Sequence, residues 1–167
     1  MISLDQLLES RDARAQHQKD LLGRFPGKSL LCLTVQLPGP EKRNDLSLAI
    51  ARAGVSAIRQ AFQTSYEELR DLETGYEGYF LVSLPADEAK RCTCRIEDTH
   101  PLGRLLDIDV MPGVPGHIGP ISRESLGLSP RKCLLCDNEA RYCMRAKTHS
   151  TSELLERIGQ MVKAYGA

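Results

Sequence analysis

Apolar positions near the start of the chain repeat at helical spacing. Ser3 with Gln6 has the form of a capping box, Leu4, Leu7 and Leu8 share one side, and Arg11, Asp12 and Arg14 fall on the other. This predicts an N-terminal helix with a polar back. Phe25-Pro26-Gly27 breaks it, and Ser29 to Leu37 reads as a buried strand closed by Pro38-Gly39-Pro40. From Asn44 or Asp45 to about Phe62, the spacing of Leu46, Ile50, Ala53, Ala57, Ile58, Ala61 and Phe62 predicts a second helix, with alanines that allow close packing on a sheet. Gly54 counts against it. Tyr79 to Leu84 reads as a strand, Asp87 to Lys90 as a short helical turn, and Cys92 to Glu97 as another strand. Leu105 to Met111 is a further strand, and Pro112 to Gly116 a turn from which His117 to Ser122 returns as a hairpin partner. After a basic, cysteine-bearing loop, Ser150 with Glu153 forms a second capping box. Leu154, Leu155, Ile158, Met161, Val162 and Tyr165 then make the face of a final helix. The order predicts an α+β fold with a mixed or largely antiparallel sheet packed by helices.

Candidate chemistry lies in two places. Asp107 and Asp109 stand two residues apart on the strand flanked by Leu105, Leu106, Ile108 and Val110. Their side chains leave the same face about 6.6–6.8 Å apart at the backbone, within reach of one cation. A magnesium ion there could clamp a polyphosphate, and the alternation resembles the catalytic strand of polymerase-β-like nucleotidyltransferases. The bland alternative is a solvated face, although two unpaired carboxylates beside a buried strand are costly and call for a cationic neighbour. Arg104, after Gly103, could grip phosphate oxygens or pair with Asp107. His100, before Pro101, could act as a base, donate to a phosphate or anchor the loop.

The second place is Cys133, Cys136, Cys143 and His149, a set with zinc-ligand spacing. The alternative is a metal-free, cysteine-lined contact, since Leu134-Leu135 is unusually apolar for a knuckle. The same segment carries Arg123, Arg131, Lys132, Arg141, Arg145 and Lys147 against Glu124, Asp137 and Glu139. This local positive region could hold substrate phosphates, receive an acidic protein or simply be solvated. Lys147-Thr148-His149 before the Ser150 cap resembles an anion perch. Cys32, Cys92 and Cys94 read as structural thiols on strands.

Composition narrows the context. With 167 residues, 41% hydrophobic and 26% charged, the chain reads as one domain, residues 1–167, of ordinary globular type. Its 22 basic and 22 acidic residues cancel, which argues against general attraction to nucleic acid or anionic membrane. Asp5 and Glu9 interrupt the first turns, so no signal peptide is expected, nor any membrane span. A cytoplasmic location with free or metal-bound thiols is the expectation.

HPLGRLLDIDV at 100–110 and PRKCLLCDNEARYCMRAKTH at 130–149 resemble the citrate lyase holo-acyl-carrier-protein synthase family. LLESRDARAQHQ at 7–18, the PGP turn at 38–40 and GVSAIR at 54–59 extend the resemblance over nearly the whole chain. It implies a transferase that moves the prosthetic group of triphosphoribosyl-dephospho-CoA onto a serine of the apo acyl carrier subunit of citrate lyase, releasing diphosphate. Two alternatives stand beside it: the equivalent transferase for the malonate decarboxylase carrier, and a non-catalytic, zinc-stabilised carrier-docking module. The expected roles follow from residue chemistry. Asp107 and Asp109 hold magnesium; Arg104, Arg131, Lys132, Arg145 and Lys147 bind phosphate; His100 or a carboxylate accepts the serine proton.

Overall fold

The computed structural model describes residues 2–117 and 119–166. Ser3 and Gln6 exchange side-chain-to-backbone hydrogen bonds and start α1 (Leu4–Arg24), as their spacing predicts. The helix turns a different side to the protein than expected. Leu4 is 70% exposed and Leu8 also faces solvent, whereas Leu21, Leu22 and Phe25 make the apolar contact and Arg14 points inward. The chain continues through β1 (Ser29–Val35), α2 (Asp45–Ala61), β2 (Thr64–Leu72), β3 (Gly75–Val82), α3 (Ala86–Thr99), β4 (Leu106–Met111), α4 (Ala140–Ala146) and α5 (Thr151–Gly166).

The four strands form one antiparallel sheet in the order β2-β3-β1-β4. Alternation divides its side chains. Leu31 and Leu33 of β1, Phe80 and Val82 of β3, and Leu106, Ile108 and Val110 of β4 meet α2, α3 and α5 in the main core. Leu30, Cys32, Tyr79, Leu81 and Met111 meet the C-terminal half of α1 on the other face. No described helix is long and apolar enough to cross a membrane.

Three expectations change. The predicted Cys92–Glu97 strand is part of α3, so Cys92 and Cys94 are helical thiols. Ala89, Lys90, Thr93, Cys94 and Glu97 form its buried face; the inward residues Lys90, Thr93 and Glu97 are polar, which hides the helical period. β2 was not anticipated because TSYEELRDL is charged on both sides, as suits a rim strand that must not pair with another chain. The expected strand at His117–Ser122 includes Ile118, which lies outside the described residues. Its described neighbours form no ladder, and Ile121 alone donates its N–H to the Val110 carbonyl, at 2.9 Å.

Glycines at the helix α2 face and at the turn before β4 set close approaches. A Cβ on Gly54 would stand 2.8 Å from Leu106 Cδ2, so this glycine lets α2 lie tight on the sheet. A Cβ on Gly103 would stand 2.4 Å from the Ile96 carbonyl oxygen and 2.5 Å from that of Glu97, locking the turn before β4 to the end of α3. Backbone cannot yield as a side-chain tip can. Gly103→Ala is therefore expected to destabilise the fold by about 3 kcal/mol, more than Gly54→Ala. Urea unfolding of both variants checks the order.

Candidate active site

Asp107 and Asp109 leave β4 on the α1 side of the sheet. Across β1 their partners are Thr34 and Cys32, and beyond these on β3 lie Glu77 and Tyr79. On β2, Arg70 stands opposite Glu77 and Glu68 opposite Tyr79. This face therefore carries four carboxylates, from Glu68 to the two aspartates, partly roofed by Arg14 and His17 of α1. A groove of about 390 Å³, lined in part by Gln6, Ser10, Arg14, Arg70 and Glu77, opens beside it between α1 and the β2–β3 hairpin.

Its two ends are neutralised differently. Burial works against the Glu68 carboxylate, but hydrogen bonds from Tyr66, Arg70 and His17 outweigh it and hold this group at about 2. Glu77, 3% exposed, accepts from Tyr79 and lies 3.6 Å from Arg14. At the β4 end, burial and then the charge of Asp107 push the Asp109 carboxyl up to about 6, with Lys90 and Arg14 acting weakly against them. Among the described residues Asp109 has no ion pair or side-chain hydrogen bond. Cys32 beside it is pushed up to about 12 by burial, so it stays a protonated thiol.

Asp107 does have a neighbour, and it is Arg131 at 3.5 Å rather than Arg104. Arg131 also donates to the carbonyls of Leu106 (2.8 Å) and Arg104 (3.0 Å), along the outer edge of β4. Arg123 pairs with Glu97 at 2.6 Å and Asp98 at 2.9 Å. Arg104 is half-buried beside these two arginines; burial, then their charges, work against its own. It has no carboxylate partner among the described residues, so its guanidinium is free for an anion. Gly103 serves helix packing here rather than phosphate approach.

His100 caps α3 away from the carboxylates. Its Nδ1 accepts from the Leu102 N–H at 3.0 Å, its ring lies 5.3 Å from that of Tyr165 on α5, and burial pushes its pKa down. Lys132, Arg145 and Lys147 are exposed and in no ion pair among the described residues. The expected anion perch is self-capped, because the Ser150 N–H donates to Glu153 at 2.8 Å.

The cysteine-bearing segment is ordered as a small hairpin and helix. Lys132 and Glu139 face each other in an antiparallel backbone pairing, the Cys133 N–H donates to the Asn138 carbonyl at 2.7 Å, and the Ala140 N–H donates to the Arg131 carbonyl at 2.8 Å. Cys143 lies on α4 and His149 just before α5. The ligand atoms of Cys133, Cys136, Cys143 and His149 all lie within 4.8 Å of one another, a group that could hold a metal ion such as zinc.

Sequence reasoning did not find Glu77, Arg14 or Glu97. Glu77 could have been flagged by its two-residue spacing from Tyr79 in GYEGYFLV, but the functions of Arg14 and Glu97 depend on partners far along the chain.

The Asp109 carboxyl should make stability depend on pH. Its folded pKa lies above the ordinary value of 3.8, so the folded state holds the proton more tightly, and stability falls as pH rises from about 4 through about 6. Asp109→Asn removes that loss, about 3 kcal/mol at full ionisation. The variant should be more stable than the parent at pH 7.5 and converge with it near pH 4 in urea titrations. Equal stability at both pH values would show that Asp109 is already neutralised.

A profile for the family described as apo-citrate lyase phosphoribosyl-dephospho-CoA transferase matches residues 2–165. A relative from Streptococcus pyogenes serotype M18, named a probable apo-citrate lyase phosphoribosyl-dephospho-CoA transferase, is 36% identical over 98% of this chain and 87% of its own. Proteins of Escherichia coli O1:K1 and Shigella boydii serotype 18, bearing that name without the qualifier, are each 39% identical over 94% of this chain and 86% of their own. With a match over almost its full length, this chain belongs to the apo-citrate lyase phosphoribosyl-dephospho-CoA transferase family.

Proposed function

We propose that this protein, acting as one domain, moves the phosphoribosyl-dephospho-CoA group from its triphosphate precursor onto a serine of the acyl carrier subunit of apo-citrate lyase. The reaction is a nucleotidyl-type transfer. The serine Oγ attacks the phosphorus nearest the prosthetic group, the new O–P bond forms as the bond to diphosphate breaks, and diphosphate leaves. Six free cysteines suit a cytoplasmic setting.

The observation that carries this reading is the Asp109 carboxyl, buried beside Asp107 with no ion-pair partner among the described residues, on a strand whose outer edge is lined by Arg131. Oxygen donors with uncompensated charge fit a hard divalent cation. Magnesium held by these two carboxylates would neutralise phosphate oxygens and lower the pKa of the attacking hydroxyl. Arg104 and Arg131 bind phosphate oxygens at the strand edge, and Lys132, Arg145 and Lys147 guide the anionic donor from outside. Arg131 can do so by sharing its guanidinium between the backbone carbonyls and the ligand.

The serine proton passes to a carboxylate of this face. His100 is less suited, since its ring rests against Tyr165 and one nitrogen already accepts from Leu102. Direct in-line attack needs no covalent enzyme intermediate, and the buried, protonated Cys32 is unsuited to forming one.

Incubation with apo carrier subunit and triphosphate donor should add the prosthetic-group mass to the carrier and release diphosphate. Asp107→Asn and Asp109→Asn should each lower that rate by about 10³-fold or more with unchanged circular dichroism. Arg104→Ala should raise the donor KM by about tenfold, with Arg104→Lys between the two. Full activity in both aspartate variants would eliminate the carboxylate-clamp mechanism.

A further inference from the structure

Two independent features of the Cys133–His149 cluster point to a ligand. The first is geometric: three thiols and an imidazole from a hairpin turn, a short helix and a helix lead-in converge within 4.8 Å, with Cys136 Sγ 3.5 Å from Cys143 Sγ. The second is a deficit. His149 Nε2 is buried with no hydrogen-bond partner among the described residues, an arrangement that is costly unless something occupies it. A metal-free apolar contact would explain the buried Cys143 thiol but would leave this nitrogen stranded.

We infer that Cys133, Cys136, Cys143 and His149 bind one zinc ion in a closed tetrahedral site, and that this knot holds Arg131 against the edge of β4. Four protein ligands leave no open position, so the metal is structural rather than catalytic. Binding replaces thiol protons with Zn–S bonds and releases those protons to solvent, so affinity rises with pH. Imidazole binds as the neutral base.

The positioning role follows from the chain path. Arg131 lies two residues before Cys133, and its carbonyl accepts the Ala140 N–H in the hairpin that carries the two knuckle cysteines. Leu134 between those cysteines packs on the main core. α4 has only seven residues, too few to be stable without tertiary anchorage. With the knot closed, the segment is fixed at the core, at Arg131 and at the start of α5. The metal site stands independently of the proposed transfer; only the relevance of Arg131 to the donor rests on that reading.

The test uses the full chain purified without chelator from zinc-supplemented medium. Elemental analysis should find one zinc per chain, and cobalt(II) exchanged into the site should show the visible bands of tetrahedral thiolate coordination. Cys136→Ser combined with His149→Ala should lose the metal. Should that variant fail to fold, chelation of the parent protein is the second measurement. Hydrogen exchange should then rise about tenfold or more across residues 131–149 while β1 and β3 stay protected. No metal uptake, metal retained in the double variant, or recovery of a stable Cys136–Cys143 disulfide would each overturn the site. Unchanged exchange at residues 131–149 after complete metal removal would overturn the positioning role. Transfer activity enters none of these readouts, so their failure is distinct from failure of the proposed function.

Discussion

β4 lies at the rim of the sheet, yet it carries the two aspartates, and its outward backbone groups must be satisfied without a fifth strand. Side chains do this. Glu97 accepts the Ile108 N–H at 2.9 Å, Arg131 donates to the Leu106 carbonyl at 2.8 Å, and Lys90 reaches the Ile108 carbonyl at 3.4 Å. Glu97 is 2% exposed and also binds Arg123, which ties α3, the strand edge and the chain beyond β4 into one network. A buried carboxylate survives only with such partners. The same network keeps the edge closed to other chains and fixes the backbone from which Asp107 and Asp109 project.

The face under α1 is one sheet surface whose carboxylates are paired at one end and short of partners at the other. Glu68 and Glu77 have resident partners and serve to seat α1. Asp109 has none and sits in an environment that disfavours its charge. Such a group lowers the stability of the fold when it ionises. Arg104, beside Arg123 and Arg131, is the opposite case, a half-buried cation crowded by other cations.

Between residues 131 and 149 the chain has little apolar surface of its own to bury, and Leu134 is its link to the main core. Its shape must therefore come from polar or metal-like cross-links. The convergence of the four ligand side chains supplies a reason for its order, and Arg131 connects that order to the carboxylate strand. A formally neutral protein thus presents a local positive surface beside its acidic face, which composition alone cannot reveal.

Local signals were enough where backbone chemistry is local. The capping boxes at Ser3 and Ser150, the apolar spacing from Leu46 to Phe62, the turns around Pro26 and Pro38, the alternation at 105–111 and the cysteine spacing all carry their meaning within a few residues, and they pointed to α1, α2, α5, β1, β4 and the ligand cluster. The motif at 100–110 likewise carried the family resemblance. What failed were elements stabilised by distant partners. α3 hid because Lys90 and Glu97 are buried by β4 and Arg123, and β2 hid because its charges are answered by His17 and Arg59. Arg14 turned inward for Glu77, sixty-odd residues away, and Arg131 displaced Arg104 at Asp107. Sequence determined which groups could do chemistry; tertiary structure decided which charges meet, because an ion pair depends on distance in space and desolvation, and neither is written in local spacing.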